Sequence, residues 1–476
     1  MKTSFINGKF VEGGDARANI NPSDTDDVID QFGEADALMA TRAVDAAAES
    51  FRTWSQTSIQ RRADALDSVG TELLARKEDL GRLLSREQGK ILQEGIAEVD
   101  RAGRIFKFFA GEAVRPAGVH AASVRDGVEI HVTSEPLGVV GIISPWNFPM
   151  AIPAWKIAPA LAYGNTVVFK PAELVPSSAW ALAEIISRSG FPPGAFNLVL
   201  GAGRVVGNAM LTDPRVTGIS FTGSTGVGAR VMETAGRRFA KLQLEMGGKN
   251  PLVVLDDADL EVALNCAIQG SFYSTGQRCT ASSRIICTKG IYPTFRKALA
   301  ERVAALRVGH ALHGDTQIGP VVDKSQLDSN LRYLSVGRAE GATLVCGGEL
   351  LAKETRGFFM SPALFADVTN DMRIAREEIF GPVSCLIVAD DFEHAIQIAN
   401  DTDFGLSAGI CTTSLRYATR FRREVKAGMV MVNVPTAGVD YHVPFGGTKA
   451  SSYGAREQGS FARHFFTSTK TSYSGW

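Results

Sequence analysis

The sequence predicts an α/β protein with two parallel-sheet domains and a β-strand arm for pairing between subunits. Two stretches of strand–helix alternation and one of apolar alternation carry that prediction. From residue 139 onward, short apolar runs recur at 139–143, 167–169, 196–200, 218–221 and 252–255, with helical segments such as 178–189 between them. Such alternation implies parallel strands joined by right-handed crossovers. A second series of the same kind runs from about residue 250 to 440. Val128, Ile130 and Val132 alternate as a half-buried strand does, and the tail at 464–473 alternates again.

The other elements follow in chain order. A short strand pair is expected at 5–10. Residues 37–54 are Ala-rich, with Leu38, Ala46 and Phe51 near helical spacing. Helical patterning continues over 59–80 and 83–113, with interruptions expected near Gly81 and Gly89. Pro136 and Gly138 then separate the strand around 128–132 from the apolar run that follows. An exposed hairpin at that point is a natural oligomerisation element.

Length and charge exclude several classes. At roughly 100–200 residues per domain, the 476 residues correspond to two to four domains. Fifty basic residues face 51 acidic ones, so no basic excess marks a nucleic-acid or membrane-surface binder. The first residues, MKTSFINGKF, lack the pattern of a secretion signal, and no run of about 18 apolar residues marks a membrane span. The six cysteines are scattered without a CxxC pair, which argues against a disulfide framework or a zinc site and for a reducing cytoplasm. His310 and His313 share helical spacing but have no third ligand nearby in sequence, so no metal is expected.

Five motifs bear on chemistry. Residues 219–228, ISFTGSTGVG, run from a strand through glycines into a helix, whose first N–H groups suit a phosphate. The spacing is not GxGxxG, and an ordinary strand-to-helix turn fits equally well. PWNFP at 145–149 fixes Asn147 on a rigid turn, where its amide suits an oxyanion donor or a purely structural role. FKPAE at 169–173 offers Lys170 and Glu173 to ribose hydroxyls, or to solvent. LEMGGKNP at 244–251 places Glu245 before two glycines; a desolvated carboxylate there suits a general base. STGQRC at 274–279 sets Cys279 among small polar residues, with Arg278 as an adjacent positive charge that favours the thiolate. A lone cysteine is as often structural.

Taken together, these motifs resemble the aldehyde dehydrogenase superfamily. PWNFP, KPAE, FTGSTGVG, LEMGGKNP, GQRC, EEIFGPV (377–383) and PFGG (444–447) occur in the family's order, across nearly the whole chain. The resemblance implies a Rossmann-like NAD(P)-binding domain at 1–124 and 139–245, a catalytic domain at 246–440 and an oligomerisation arm at 125–138 and 459–476. It implies Cys279 as nucleophile, Glu245 as general base, Asn147 as oxyanion donor and Lys156 as a proton-relay lysine. For the cofactor it implies Trp146, with Lys170 and Glu173 at the adenosine ribose, Gly223 and Ser224 at the diphosphate, and Glu378 and Phe380 at the nicotinamide ribose. A homodimer or homotetramer acting on a small-molecule aldehyde is implied, with no membrane or nucleic-acid partner.

Substrate and cofactor choice rest on fewer residues. Arg278, beside the nucleophile, can pair with an anionic substrate tail or serve a structural ion pair. Lys107 and Arg104 are candidates for a second positive group. Tyr441 and His442 lie in the loop resembling the family's substrate anchor. This loop, with AIPAWKIAPALAYGN, looks most like 2-oxoglutarate semialdehyde (2,5-dioxopentanoate) dehydrogenases; succinate semialdehyde and other short acidic aldehydes come next. Glu173 at the ribose repels a 2′-phosphate and favours NAD, while Lys170 with Ser177 or Ser178 leaves NADP open.

Overall fold

The computed structural model describes residues 1–115 and 118–476. Its first large sheet has eight strands. The five central ones are parallel: Phe196–Leu198, Thr166–Lys170, Val139–Ile143, Val216–Thr222 and Lys241–Glu245. Antiparallel Ser4–Ile6 and Lys9–Val11 extend one edge, and Ser452–Tyr453 closes the other. The buried faces of Val167, Phe169, Ile142 and Leu198 pack under Ala151–Ala162 and Pro176–Ser187, helices apolar almost all round because both their sides are covered.

The second sheet has seven strands, six of them parallel. Ser282–Thr288 lies at its centre, between Asn250–Val254 and Val383–Ala389. Beyond these lie Ser407–Cys411, Met429–Val432 and Ala363–Ala366, with Thr343–Cys346 antiparallel at one edge. A third, antiparallel sheet joins Gly118–Ala122, Val128–Pro136 and the terminal strand Thr467–Gly475. The strand expected around 128–132 and the expected terminal strand therefore pair with each other, nearly 340 residues apart in sequence.

One sequence expectation needs correction, and one element carried no expectation. No break occurs at Gly81, which lies inside helix Lys77–Gln88. A Cβ on Gly81 would stand 2.6 Å from Ile96 Cα, so the glycine admits helix Leu92–Ala113 rather than ending its own. The chain turns instead at Arg76 and at Gly89, whose φ of 94° lies in the left-handed region. The unexpected element comprises residues 16–33, whose acidic, weakly alternating sequence carried no strand signal. They form the hairpin Ala16–Asn21 with Asp24–Gly33. Exposed edge strands need no apolar face, which is why the pattern hides them.

Candidate active site

The switch from strand Val139–Ile143 to helix Ala151–Ala162 carries PWNFP. A buried ion pair holds this turn: Lys90 Nζ lies 2.5 Å from Glu98 Oε2 and donates to the Asn147 carbonyl at 2.8 Å. Glu98 Oε1 accepts from the N–H groups of Met150 and Ala151 at the helix start. Asn147 Nδ2 donates one N–H to the Gln277 carbonyl at 3.1 Å, and its Oδ1 is buried without a partner. The sequence singled out neither Lys90 nor Glu98, because each reads as an ordinary helix charge until the fold brings them under the loop.

Cys279 is partly buried and faces two cavities. The larger, about 370 Å³, is also walled by Trp146, Asn147, Gly223, Ser224, Glu378 and Phe380. Seven residues assigned from separate motifs thus share one space. Trp146 and Phe380 meet edge-to-face at 5.3 Å, with Phe380 held at φ 57°. Thr222 Oγ1, on the same wall, is buried without a partner. Ser224 precedes helix Thr225–Gly236, whose first N–H groups carry no side-chain cap. The GG pair works by close approach: a Cβ on Gly247 would stand 2.0 Å from Glu378 Oε2, and one on Gly248 2.7 Å from the Cys279 carbonyl. Glu378 accepts from the Gly248 N–H at 3.0 Å, yet burial pushes its carboxyl up to about 7. Arg332 and Tyr333, from helix Lys324–Ala339, also line this cavity and had no motif to reveal them.

Lys170 and Glu173 stand apart: Glu173 lines a notch with Arg17 of the unforeseen hairpin, and Lys170 lies buried behind it. Glu173 Oε1 accepts from the Gly203 N–H at 2.8 Å and lies 3.8 Å from Lys170 Nζ, while Oε2 takes Arg17 Nη1 at 2.6 Å. Ser177 and Ser178 are not free for a phosphate. Both are buried, and their N–H groups, with the Ser178 hydroxyl, donate to the buried Glu87, which caps helix Pro176–Ser187 from another helix.

The second cavity, about 200 Å³, lies on the other side of Cys279. Glu94, Ala97, Glu98 and Arg101 project into it from one face of Leu92–Ala113, at the spacing of successive helical turns. Arg278 lines it but turns from the thiol: its Nη2 donates to Glu94 Oε1 and Ser274 Oγ, each at 2.8 Å. The expected thiolate-stabilising charge is therefore committed elsewhere. The Cys279 thiol is instead pushed up, first by burial and then by Glu378 and Glu245. Arg101, absent from the sequence candidates, has a buried, unpartnered Nε, as does Arg278.

Four substrate candidates fall outside this cavity. Lys107 points toward the neighbouring helix Ile59–Ala75, where it binds Asp67 and Thr71 at 2.6–2.9 Å. Arg104 is exposed and pairs with Asp100 one turn earlier. Tyr441 packs edge-to-face on Phe108 at 6.1 Å and His442 is exposed beyond it, while Ala437, Val439 and Phe445 of the same loop form the wall. Residue type suggested these groups; the phase of the helix and the path of the loop leave them off this cavity's wall.

Glu245 and Lys156 sit behind the cavities, in the core. Glu245 accepts from the Ser452 hydroxyl at 2.5 Å, and its carboxyl lies well above the usual range because of burial and then Glu457. Lys156 is wholly buried between Ser220 Oγ, at 2.9 Å, and Glu457, which also accepts from Trp155 Nε1. Glu457 closes this group and escaped the sequence reading, lying in a C-terminal stretch without a motif.

The aldehyde dehydrogenase family profile matches residues 10–472. The chain is 44% identical to an alpha-ketoglutaric semialdehyde dehydrogenase of Bacillus subtilis, over 98% of this chain and 97% of that one. It is 39% identical to a 2,5-dioxopentanoate dehydrogenase of Saccharolobus solfataricus, over 98% of each. Among solved structures, betaine aldehyde dehydrogenase of Staphylococcus aureus in complex with NAD+ superposes with a TM-score of 0.97 at 34% identity, covering 100% of this chain and 95% of that one.

Proposed function

The chain belongs to the aldehyde dehydrogenase family, oxidoreductases acting on aldehydes, and from that premise we propose that it oxidises a short aldehyde with an acidic end to the carboxylate. The favoured substrate is 2-oxoglutarate semialdehyde; succinate semialdehyde or another small carboxylate- or sulfonate-bearing aldehyde is the second reading. NAD is the expected cofactor, with NADP open. One observation carries the reading: Cys279 forms a wall common to two cavities, one suited to a nucleotide and one to a small anion.

The first cavity fits the nucleotide on its own features. It offers an uncapped helix N-terminus at Ser224, the unpartnered Thr222 hydroxyl and glycines that let Glu378 approach. Gly223 and Ser224 would hold the diphosphate, Trp146, Glu378 and Phe380 the nicotinamide ribose, and Lys170 with Glu173 the adenosine ribose. NAD bound there supplies the hydride acceptor.

The protein's own residues do the rest. The Cys279 thiol gives its proton to solvent in the cavity, and the thiolate attacks the aldehyde carbon. Asn147 has one amide N–H engaged by Gln277, leaving the second for the oxygen on which charge develops. After hydride loss the acyl group is a thioester on Cys279. Glu245, held above its ordinary pKa, takes a proton from the water that hydrolyses it. This requires Glu245 to turn from Ser452 toward the thioester. Lys156 and Glu457 supply the buried charges that tune it.

The second cavity supports the acidic substrate. Arg101 and Arg278 both line it, and each has a buried N–H without a partner. A carboxylate at the far end of a short aldehyde would satisfy both. The names of the relatives from B. subtilis and S. solfataricus support the same substrate class.

The three sheets support a cofactor domain, a catalytic domain and an arm that pairs between subunits in a dimer or tetramer. Among the described residues no helix is long and apolar enough to cross a membrane. The deciding experiment compares kcat/KM for acid-ended and neutral aldehydes of equal length, with NAD and NADP side by side. A preference for neutral aldehydes refutes the substrate reading. Retained turnover in Cys279→Ala refutes the mechanism. Acyl-CoA formed on adding coenzyme A would mark an acylating enzyme, which has no use for Glu245.

A further inference from the structure

The arm alternates strictly, so its two faces differ. Val119, Ala121, Ile130, Val132 and Tyr473 occupy one face; His120, Glu129 and His131 occupy the other. His120 lies directly opposite His131 in the pairing of Gly118–Ala122 with Val128–Pro136, and Glu129 is two residues before His131 on the same face. The register thus brings together three metal-ligand side chains that the sequence separates. The imidazoles stack at 4.9 Å, tilted by only 16°, and Glu129 Oε2 lies 3.6 Å from His131 Nε2.

We propose that this face of the arm binds one divalent first-row transition cation, of the zinc, nickel or copper type, through His120, His131 and Glu129. One ligand atom from each lies within 4.8 Å of the other two. Bonds of about 2.0–2.1 Å in tetrahedral geometry need ligand atoms roughly 3.3 Å apart. Side-chain rotation of exposed residues closes that gap without moving the strands. Two imidazoles and a carboxylate suit these metals and leave a coordination position for water. The nearest ammonium on this face, Lys470, lies opposite Thr133 and 3.6 Å from Glu135, which offsets its charge. Among the described residues, no other three such side chains bring ligand atoms this close.

The site is remote from Cys279 in sequence and sheet, so it is structural: a bound ion would tie the first two arm strands together. Its location also makes the test separable from the proposed chemistry. Nickel(II) is titrated by calorimetry into the full-length Cys279→Ser protein, which removes the cavity-facing Cys279 thiol as a competing ligand. One equivalent per chain is expected. His120→Ala or His131→Ala should weaken binding at least tenfold, and Glu129→Gln several-fold. Cobalt(II) bound to the same protein should show an absorption spectrum of nitrogen and oxygen ligation that disappears in His131→Asn, a substitution tolerable on an exposed strand. Absence of saturable binding, or binding unchanged when both histidines are replaced, overturns the proposal.

Discussion

Arg278 Nη2 lies 2.8 Å from Glu94 Oε1, so the guanidinium beside Cys279 is held by a carboxylate across the smaller of the two cavities. A substrate carboxylate must share Arg278 with Glu94, whereas Arg101 makes a 3.4 Å hydrogen bond to the uncharged Gln458 Oε1 and lies 5.7 Å from the Trp155 ring centre. Arg101→Ala is therefore expected to be the more damaging change. A hydrogen bond to a charged group contributes about 1.5–3 kcal/mol, so kcat/KM for an acid-ended aldehyde should fall roughly 10–100-fold. Neutral aldehydes should lose less than about threefold, and Lys107→Ala should change neither. Steady-state kinetics on a matched pair of aldehydes decides this; equal losses on both would remove Arg101 from substrate recognition.

Arg17 bears on cofactor choice. It neutralises Glu173, the group expected to repel a 2′-phosphate, and itself stands at the notch. NADP use should thus depend on Arg17 more than NAD use does. Arg17→Ala is expected to lower kcat/KM for NADP about tenfold, the loss of one charge-assisted hydrogen bond, and that for NAD by less than about threefold. A uniform change across the two cofactors would leave Arg17 a mere tether.

The Ser452 hydroxyl lowers the pKa of Glu245, while burial and Glu457 raise it. Deleting the hydroxyl removes the lowering contribution. The acid limb of the pH–rate profile, which reports the base losing its proton, should then move to higher pH in Ser452→Ala. Stopped-flow separation of hydride transfer from thioester hydrolysis should place the shift in hydrolysis. A limb that stays put would sever Glu245 from that step.

Glu378 gives a pH-dependent stability. Its folded pKa, near 7, exceeds its ordinary 4.5, so the folded state holds the proton more tightly between those values. Its stabilising contribution is complete below about pH 4.5 and lost as pH rises through 7. Glu378→Gln should match the parent in Tm at about pH 4 and exceed it at about pH 8. A rise from 4.5 to about 7 sets a ceiling of roughly 3 kcal/mol, and cavity-side solvent reduces the expected gain to about 1–2 kcal/mol. Thermal unfolding of the ligand-free protein across that range tests it.

Sheet strands and motif-bearing turns were legible because their signals are local. Val139–Ile143, Thr166–Lys170 and Val216–Thr222 announce themselves by apolar runs, and the glycines and prolines after them by the turns they permit. Hairpin 16–33 was illegible because an exposed edge strand needs no apolar pattern. Gly81 misled because a glycine that ends a helix and one that admits a neighbouring helix look identical in sequence.

The same distinction separates what each level determined. The sequence by itself determined the fold class and the family, and it singled out Asn147, Glu245 and Cys279 as candidates, since each lies in a short motif whose order is particular to the family. Tertiary structure decided which charges face the chemistry. Helix phase turned Arg101 into the smaller cavity and Lys107 toward Asp67 of helix Ile59–Ala75; pairing with Glu94 drew Arg278 from the thiol; strand register set His120 against His131. Charge and chemical type are written in one residue, but a side chain's direction and partner depend on elements tens to hundreds of residues away.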